Sequence, residues 1–215
     1  MVTASMPRLR RSALPLAVLC LLLAPAARAT DTATSLAASA RGECEAGRRA
    51  DGRDERKAHF DRGKALAEHA VALDDQNAEA HFSLFCNMGE LMRLDGETLS
   101  GALGLRSLMA EVDRTLELNP DHTDALAAKG TLLLRLPRFL GGDAARGEAM
   151  LRRVVREDPN AVSSRLTLAK TCDARGDRDE ALAFATRALQ IARQQGRADK
   201  IAEAQATLSE LRAAR

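Results

Sequence analysis

Apolar side chains recur every three to four positions along most of the chain, and no segment alternates as a half-buried strand would. One stripe runs Phe60, Gly63, Ala67, Ala70; a second Ala181, Phe184, Ala188, Ile191; a third Ile201, Ala204, Leu208, Leu211. Residues at that spacing share one face of a 3.6-residue helix, so each stripe predicts an amphipathic helix. Polar breaks separate the stripes at Asp74-Asp75-Gln76-Asn77, Asn119-Pro120-Asp121-His122 and Asp158-Pro159-Asn160. Asx side chains cap helix starts and proline blocks continuation, so these breaks are turns with a mechanism. The pattern predicts helices over 54–74, 78–94, 99–118, 123–135, 144–157, 161–175, 178–195 and 198–213, with one further short helix within 31–50.

The breaks themselves repeat, 45 and 39 residues apart when counted from Asp75 to Pro120 to Pro159. Recurrence of that length is the mark of a solenoid of helix pairs. The residues resemble tetratricopeptide repeats. Leu126, Lys129-Gly130 and Leu133 fit the first helix of the signature, and Arg165, Leu168-Ala169 and Cys172 fit it with alanine in place of glycine. His81, Leu84-Phe85 and Met88 fit more loosely, and Ala181 and Ala188 occupy the small-residue sites of a second helix. The resemblance implies an all-α, right-handed solenoid of antiparallel helix pairs closed by a C-terminal capping helix. Relative to the usual period of about 34 residues, the gaps carry insertions around Leu94–Gly101 and Leu136–Asp143.

The N-terminus reads as an address. Arg8, Arg10 and Arg11 precede an apolar run from Ala13 to Ala24, and Ala27-Arg28-Ala29 offers a signal peptidase its small-x-small site. Cleavage after Ala29 is expected, hence export, with 30–53 as an N-terminal segment and 54–215 as the repeat domain. The run is short and interrupted by Pro15 and Pro25, unlike a membrane span. Loss of its four arginines, from 32 basic against 30 acidic side chains overall, turns a formal +2 into about −2. That balance argues against nucleic-acid binding, which needs a strong basic excess, and nothing in the overall charge suggests an electrostatic search for anionic lipid. The absence of Trp and Tyr argues against recognition by aromatic stacking.

Candidate chemistry is sparse. No Gly-x-Ser-x-Gly, Walker loop, His-Glu-x-x-His or Gly-x-Gly-x-x-Gly occurs, and the four histidines lack metal-ligand spacing. The expectation is a binding protein with no catalytic residues, metal or cofactor. Among the cysteines, Cys86 lies on the first helix of one pair and Cys44 in the equivalent place of the preceding pair, so the two either bridge or pack as small apolar thiols. Cys172 falls on an interior position. If the repeat register holds, Glu79, Phe82, Cys86, Asp124, Ala127, Thr131, Leu166, Lys170 and Asp173 face the concave groove. Gly141, Gly142 and Asp143 form a shaped insertion loop: glycine for positive φ after a helix, aspartate to cap the next.

Leu-Pro-x-x-Leu-Gly-Gly-Asp (136–143) followed by Gly-Glu-x-x-Leu-Arg-Arg (147–153) and Asp-Pro (158–159) is more specific than a generic repeat. From Arg56 onward the chain resembles the T-component (TatT) family, periplasmic helical-repeat proteins of TRAP transporter systems. That resemblance implies a helper whose partner is an extracytoplasmic solute-binding protein, and a homo-oligomer such as a trimer. Members are often lipid-anchored; here Leu19 precedes Cys20 where lipoprotein processing takes a small residue, so the chain departs from that pattern. The alternatives are a general scaffold for envelope complexes and a carrier of a small apolar ligand.

Overall fold

The computed structural model describes residues 17–96 and 101–213, with side chains from 30–96 and 104–213. Arg8, Arg10 and Arg11 at the N-terminus and part of the first insertion, residues 97–100, lie outside them. Nine helices follow one another among the described residues: α1 (Ala17–Arg49), α2 (Arg53–Leu73), α3 (Ala78–Asp95), α4 (Gly101–Leu118), α5 (Thr123–Arg135), α6 (Ala144–Glu157), α7 (Val162–Ala174), α8 (Arg178–Gln194) and α9 (Ala198–Ala213). A single 3₁₀ turn, Arg138–Leu140, lies between α5 and α6. Consecutive helices pack as pairs, α1 with α2, α3 with α4, α5 with α6 and α7 with α8, while α9 closes the array against α8 and α7. The architecture is a tetratricopeptide-like helical solenoid.

Helix starts follow the Asx logic of the sequence. The Asn77 side chain accepts from the Ala80 amide at 3.1 Å, and Asp143 accepts from the Arg146 amide at 3.0 Å. The last carbonyls of α6 are sealed from outside: the buried Arg165 guanidinium donates to Val155 O at 3.0 Å and Asp158 O at 3.4 Å.

Small residues set the spacing between helices. A methyl group on Gly47 would meet the Phe60 ring at 2.5 Å, so α2 sits against a bare patch of α1. α1 differs from expectation in length: the stretch read as a short helix within 31–50 belongs to a helix that runs from Ala17 to Arg49. Its inner face is Ala33, Ala37, Ala40, Cys44 and Gly47, all buried. The register is helical, but the side chains are too small to stand out as an apolar stripe. In α8 the buried position falls on Ala185, with Phe184 only partly covered; an aromatic ring does not fit where the paired helices approach.

α3 carries polar side chains inward. Ser83 Oγ donates to Ala37 O at 3.0 Å, and Asn87 Nδ2 to Ala40 O at 3.0 Å. The buried Glu90 carboxylate receives Arg48 at 2.5 Å and Arg93 at 3.0 Å. Buried polar groups are tolerated when paired in this way. Cys44 and Cys86 are joined by a disulfide with Cα atoms 6.3 Å apart, which fastens α1 to α3 beside Phe60.

Candidate functional site

In a solenoid of pairs, the turns that lead into the first helix of each pair share one edge. There a cleft of about 440 Å³ opens between the starts of α3, α5 and α7, lined by Glu79, Asn119, His122, Thr123, Asp124 and Asp158. A second cleft of about 210 Å³ continues from Thr123 and Asp124 towards Ser163, Ser164 and Arg197.

Two of the lining carboxylates are joined by one side chain. Arg41 reaches from α1 across the Phe82 ring, its guanidinium 4.7 Å from the ring centroid. It donates to Glu79 Oε1 on α3 at 3.3 Å and to Asp124 Oδ2 on α5 at 2.5 Å. His122 flanks the same ring, 4.5 Å between centroids. Its Nδ1 caps α5 by accepting from the Ala125 amide at 3.3 Å, which leaves Nε2–H to donate to Glu79 Oε2 at 3.2 Å. Three successive pairs are thus tied together beside the cleft. Three carboxylates, Glu79, Asp124 and Asp158, line the cleft, and Arg41 pairs with the first two, so the lining carries net negative charge and fits a cationic or amide-bearing group. No nucleophile with an adjacent base lines it. Among the described residues, no group of three or more His, Cys, Asp or Glu is placed to hold a metal ion.

Of the residues expected in the groove, Glu79 and Asp124 meet in this cleft, and Ala127 lines the second. Phe82 does not face an open groove; Val112, Ala125, Arg41 and His122 enclose it. Cys86 is buried in the disulfide. Leu166 is buried too, because α9 lies against the last pair and covers it with Ala204. Thr131 is half-buried and donates to its own helix, to Ala127 O at 2.8 Å. Lys170 is exposed and Asp173 half-buried, and neither lines the two clefts. The sequence does not single out Arg41, and it places Asn119 and His122 only in a polar turn. An arginine inside an Ala-rich segment gives no sign that it will cross two neighbouring helices.

A second polar constellation joins α6, α7 and α8. Arg152 grips Glu180 through two bonds of 2.7 Å and Glu148 through a third of 2.8 Å. Arg175 adds a bond to Glu148 at 2.6 Å. The Arg152 hydrogen bonds, with one from the Cys172 thiol, hold the Glu180 carboxyl down at about 2. Burial, reinforced by donation to Glu180 at 3.2 Å, pushes the Cys172 thiol up to about 11. A thiol so protonated is a poor nucleophile. The network accounts for Glu148 and Arg152 of the Gly-Glu-x-x-Leu-Arg-Arg segment. Leu151 is fully buried, and Arg153 pairs with Asp121 and Glu157.

The insertion loop is ordered by its own backbone. Gly141 adopts φ 91°, and a methyl group on Gly142 would fall 1.8 Å from Leu136 O, so both glycines are required by the turn. Asp143 caps α6.

Residues 139–202, less than half of the chain, match the tetratricopeptide repeat family model. No curated protein sequence matches. Among solved structures, the chain is similar to a thermophilic tetratricopeptide repeat protein of Thermus thermophilus, at 17% identity with TM-score 0.53, over 73% of this chain and 90% of that one. The crystal structure of MamA matches at 16% identity with TM-score 0.47, over 64% of this chain and 71% of that one. The Thermus likeness shows the fold.

Proposed function

We propose that this protein is a non-enzymatic, exported docking scaffold whose acidic cleft receives a basic segment of a partner protein. The observation that carries this reading is the Arg41 bridge. It fixes Glu79 and Asp124, on two different helix pairs, around a preformed depression. A recess organised before binding spends little free energy on ordering when a partner arrives. Tetratricopeptide-like solenoids are interaction folds, which supports the same conclusion.

The finer proposal is that the partner is an extracytoplasmic solute-binding protein of a TRAP-type transporter. Its support is the motif pair at 136–143 and 147–153, with the signal-like N-terminus. Both clefts are open and polar-lined, which favours a protein segment over a small apolar ligand. The test is affinity capture from periplasmic extract with the purified protein as bait. A solute-binding protein retained by the wild type and lost from Thr123→Arg, which fills the cleft, is the expected result. Recovery of envelope-assembly or peptidoglycan proteins instead would overturn the transporter assignment. Equal recovery with Thr123→Arg would overturn the cleft.

A further inference from the structure

The turn between α5 and α6 sits on the edge opposite the cleft, where the first helix of a pair hands over to the second. It displays Phe139 at 85% exposure and Leu140 at 40%, which with Leu73 are the large apolar side chains left exposed among the described residues. This exposure is built in. Leu140 N and Gly142 N both donate to Pro137 O, at 2.9 and 3.0 Å, and Asp143 N donates to Leu133 O at 3.0 Å. These bonds hold the turn's backbone with Phe139 on its outer side.

Three arginines surround this tip in sequence: Arg135 in the last turn of α5, Arg138 in the 3₁₀ turn and Arg146 in the first turn of α6. All are exposed, and none of their guanidinium groups has an ion-pair or hydrogen-bond partner among the described residues. Arg152, Arg153 and Arg175, a few turns away, each hold two or more carboxylates. The local acids are taken: Asp143 caps α6, and Glu148 receives Arg152 and Arg175. Arg146 also stands where the helix dipole favours an acid. α6, like α4 and α7, places no acid in its first turn.

We propose that this turn is a peripheral membrane-docking element: Phe139 and Leu140 enter the headgroup boundary of an anionic bilayer while Arg135, Arg138 and Arg146 pair with its phosphates. A convex apolar tip needs a matching pocket on a protein partner. A bilayer yields to such a tip without one, and its diffuse negative charge suits cations spread along a turn. The cleft on the other edge then opens towards water, away from the lipid.

The chain contains no tryptophan, so Phe139→Trp supplies a single reporter at the tip. The probe is vesicles of equal parts phosphatidylcholine and phosphatidylglycerol, with pure phosphatidylcholine alongside. The expected result is a blue-shifted emission, quenched by brominated acyl chains, with the anionic vesicles only. Charge removal by Arg138→Gln or Arg146→Gln in the same background should weaken partitioning about fivefold each. Leu73→Trp should report no shift, as should Phe139→Trp in high salt. No shift at position 139, or an equal shift with neutral vesicles, would overturn the proposal. So would a shift produced by soluble extract and not by lipid, which would assign the turn to a protein partner.

Discussion

The Arg41 guanidinium lies 4.7 Å from the centroid of the Phe82 ring, and from that perch it reaches carboxylates on two further helices. One residue of α1 thus sets the relative position of three helix pairs. The ring supplies a flat support and the carboxylates supply direction. A cation over an aromatic face contributes about 0.5–1 kcal/mol at partly exposed sites, and charge-assisted hydrogen bonds roughly 1.5–3 kcal/mol each before screening. Arg41→Met keeps the aliphatic cover and removes the charge. It should lower stability by about 1–2 kcal/mol in urea unfolding and weaken partner binding by more than that loss explains. Unchanged binding would mean that the bridge does not shape the recognition surface.

Gly130 and Gly147 face one another where α5 crosses α6. A methyl group on Gly147 would stand 2.6 Å from the Gly130 carbonyl oxygen, and the reverse contact would be 3.0 Å. Gly147→Ala should cost about 1–3 kcal/mol by overpacking, despite alanine's better helix propensity. Gly42→Ala on the exposed side of α1, with nothing within 4 Å, should be neutral or stabilising. Thermal unfolding of the two variants side by side checks the sign of each effect.

His81 is buried and enclosed by acceptors. Its Nδ1 meets Glu111 at 2.7 Å, while Nε2 meets Asp75 O at 3.1 Å and lies 3.4 Å from the Asp75 carboxylate. The Glu111 hydrogen bond raises its pKa above the ordinary histidine value, against the opposing effect of burial, with Asp75 adding to the rise. Arg114, also bonded to Asp75, faces the same group. A raised folded value means that the stabilisation is complete below the unfolded pKa of about 6.5 and is lost as pH rises through the folded value. Stability of His81→Gln should therefore fall below wild type most at mildly acidic pH, and the gap should narrow in alkaline buffer. A gap that widens with pH would contradict the assignment.

The cysteines divide by chemistry. Cys172, buried and pushed up to about 11, should resist an aromatic disulfide reagent in the native protein and react fully once unfolded. The Cys44–Cys86 bridge spans 42 residues of chain. In the chain-entropy account a loop of that size is worth about 4 kcal/mol, an upper figure for engineered or strained cases. The Cys44→Ala, Cys86→Ala pair should lose roughly 2–4 kcal/mol, seen as a lower urea midpoint. No change would show that α1 is held by packing alone.

The helical pattern was legible in the sequence to within two or three residues at most ends, because periodic apolar positions and Asx-Pro breaks are local signals. The α5–α6 loop was legible for the same reason: Gly141, Gly142 and Asp143 have the turn chemistry that their places demand. The groove was less so. A repeat register says which residues point inward, and pointing inward took Phe82 and Leu166 into the core once Arg41 and α9 covered them. Those covers come from distant parts of the chain, and no local spacing announces them. Glu79 and Asp124 were found because they lie in the first turns of α3 and α5, where capping and groove position coincide.

Docking of a basic partner segment in the acidic cleft is decided by the equilibrium binding of the captured partner to wild type and to Thr123→Arg. Thr123 lines both clefts and holds only a long 3.5 Å bond to Asp121 O, so the variant should fold with an unchanged unfolding midpoint. Loss of at least tenfold in affinity, together with a wild-type affinity that falls as salt rises, is the predicted result. Equal affinity for the two proteins, with both folded, would contradict it.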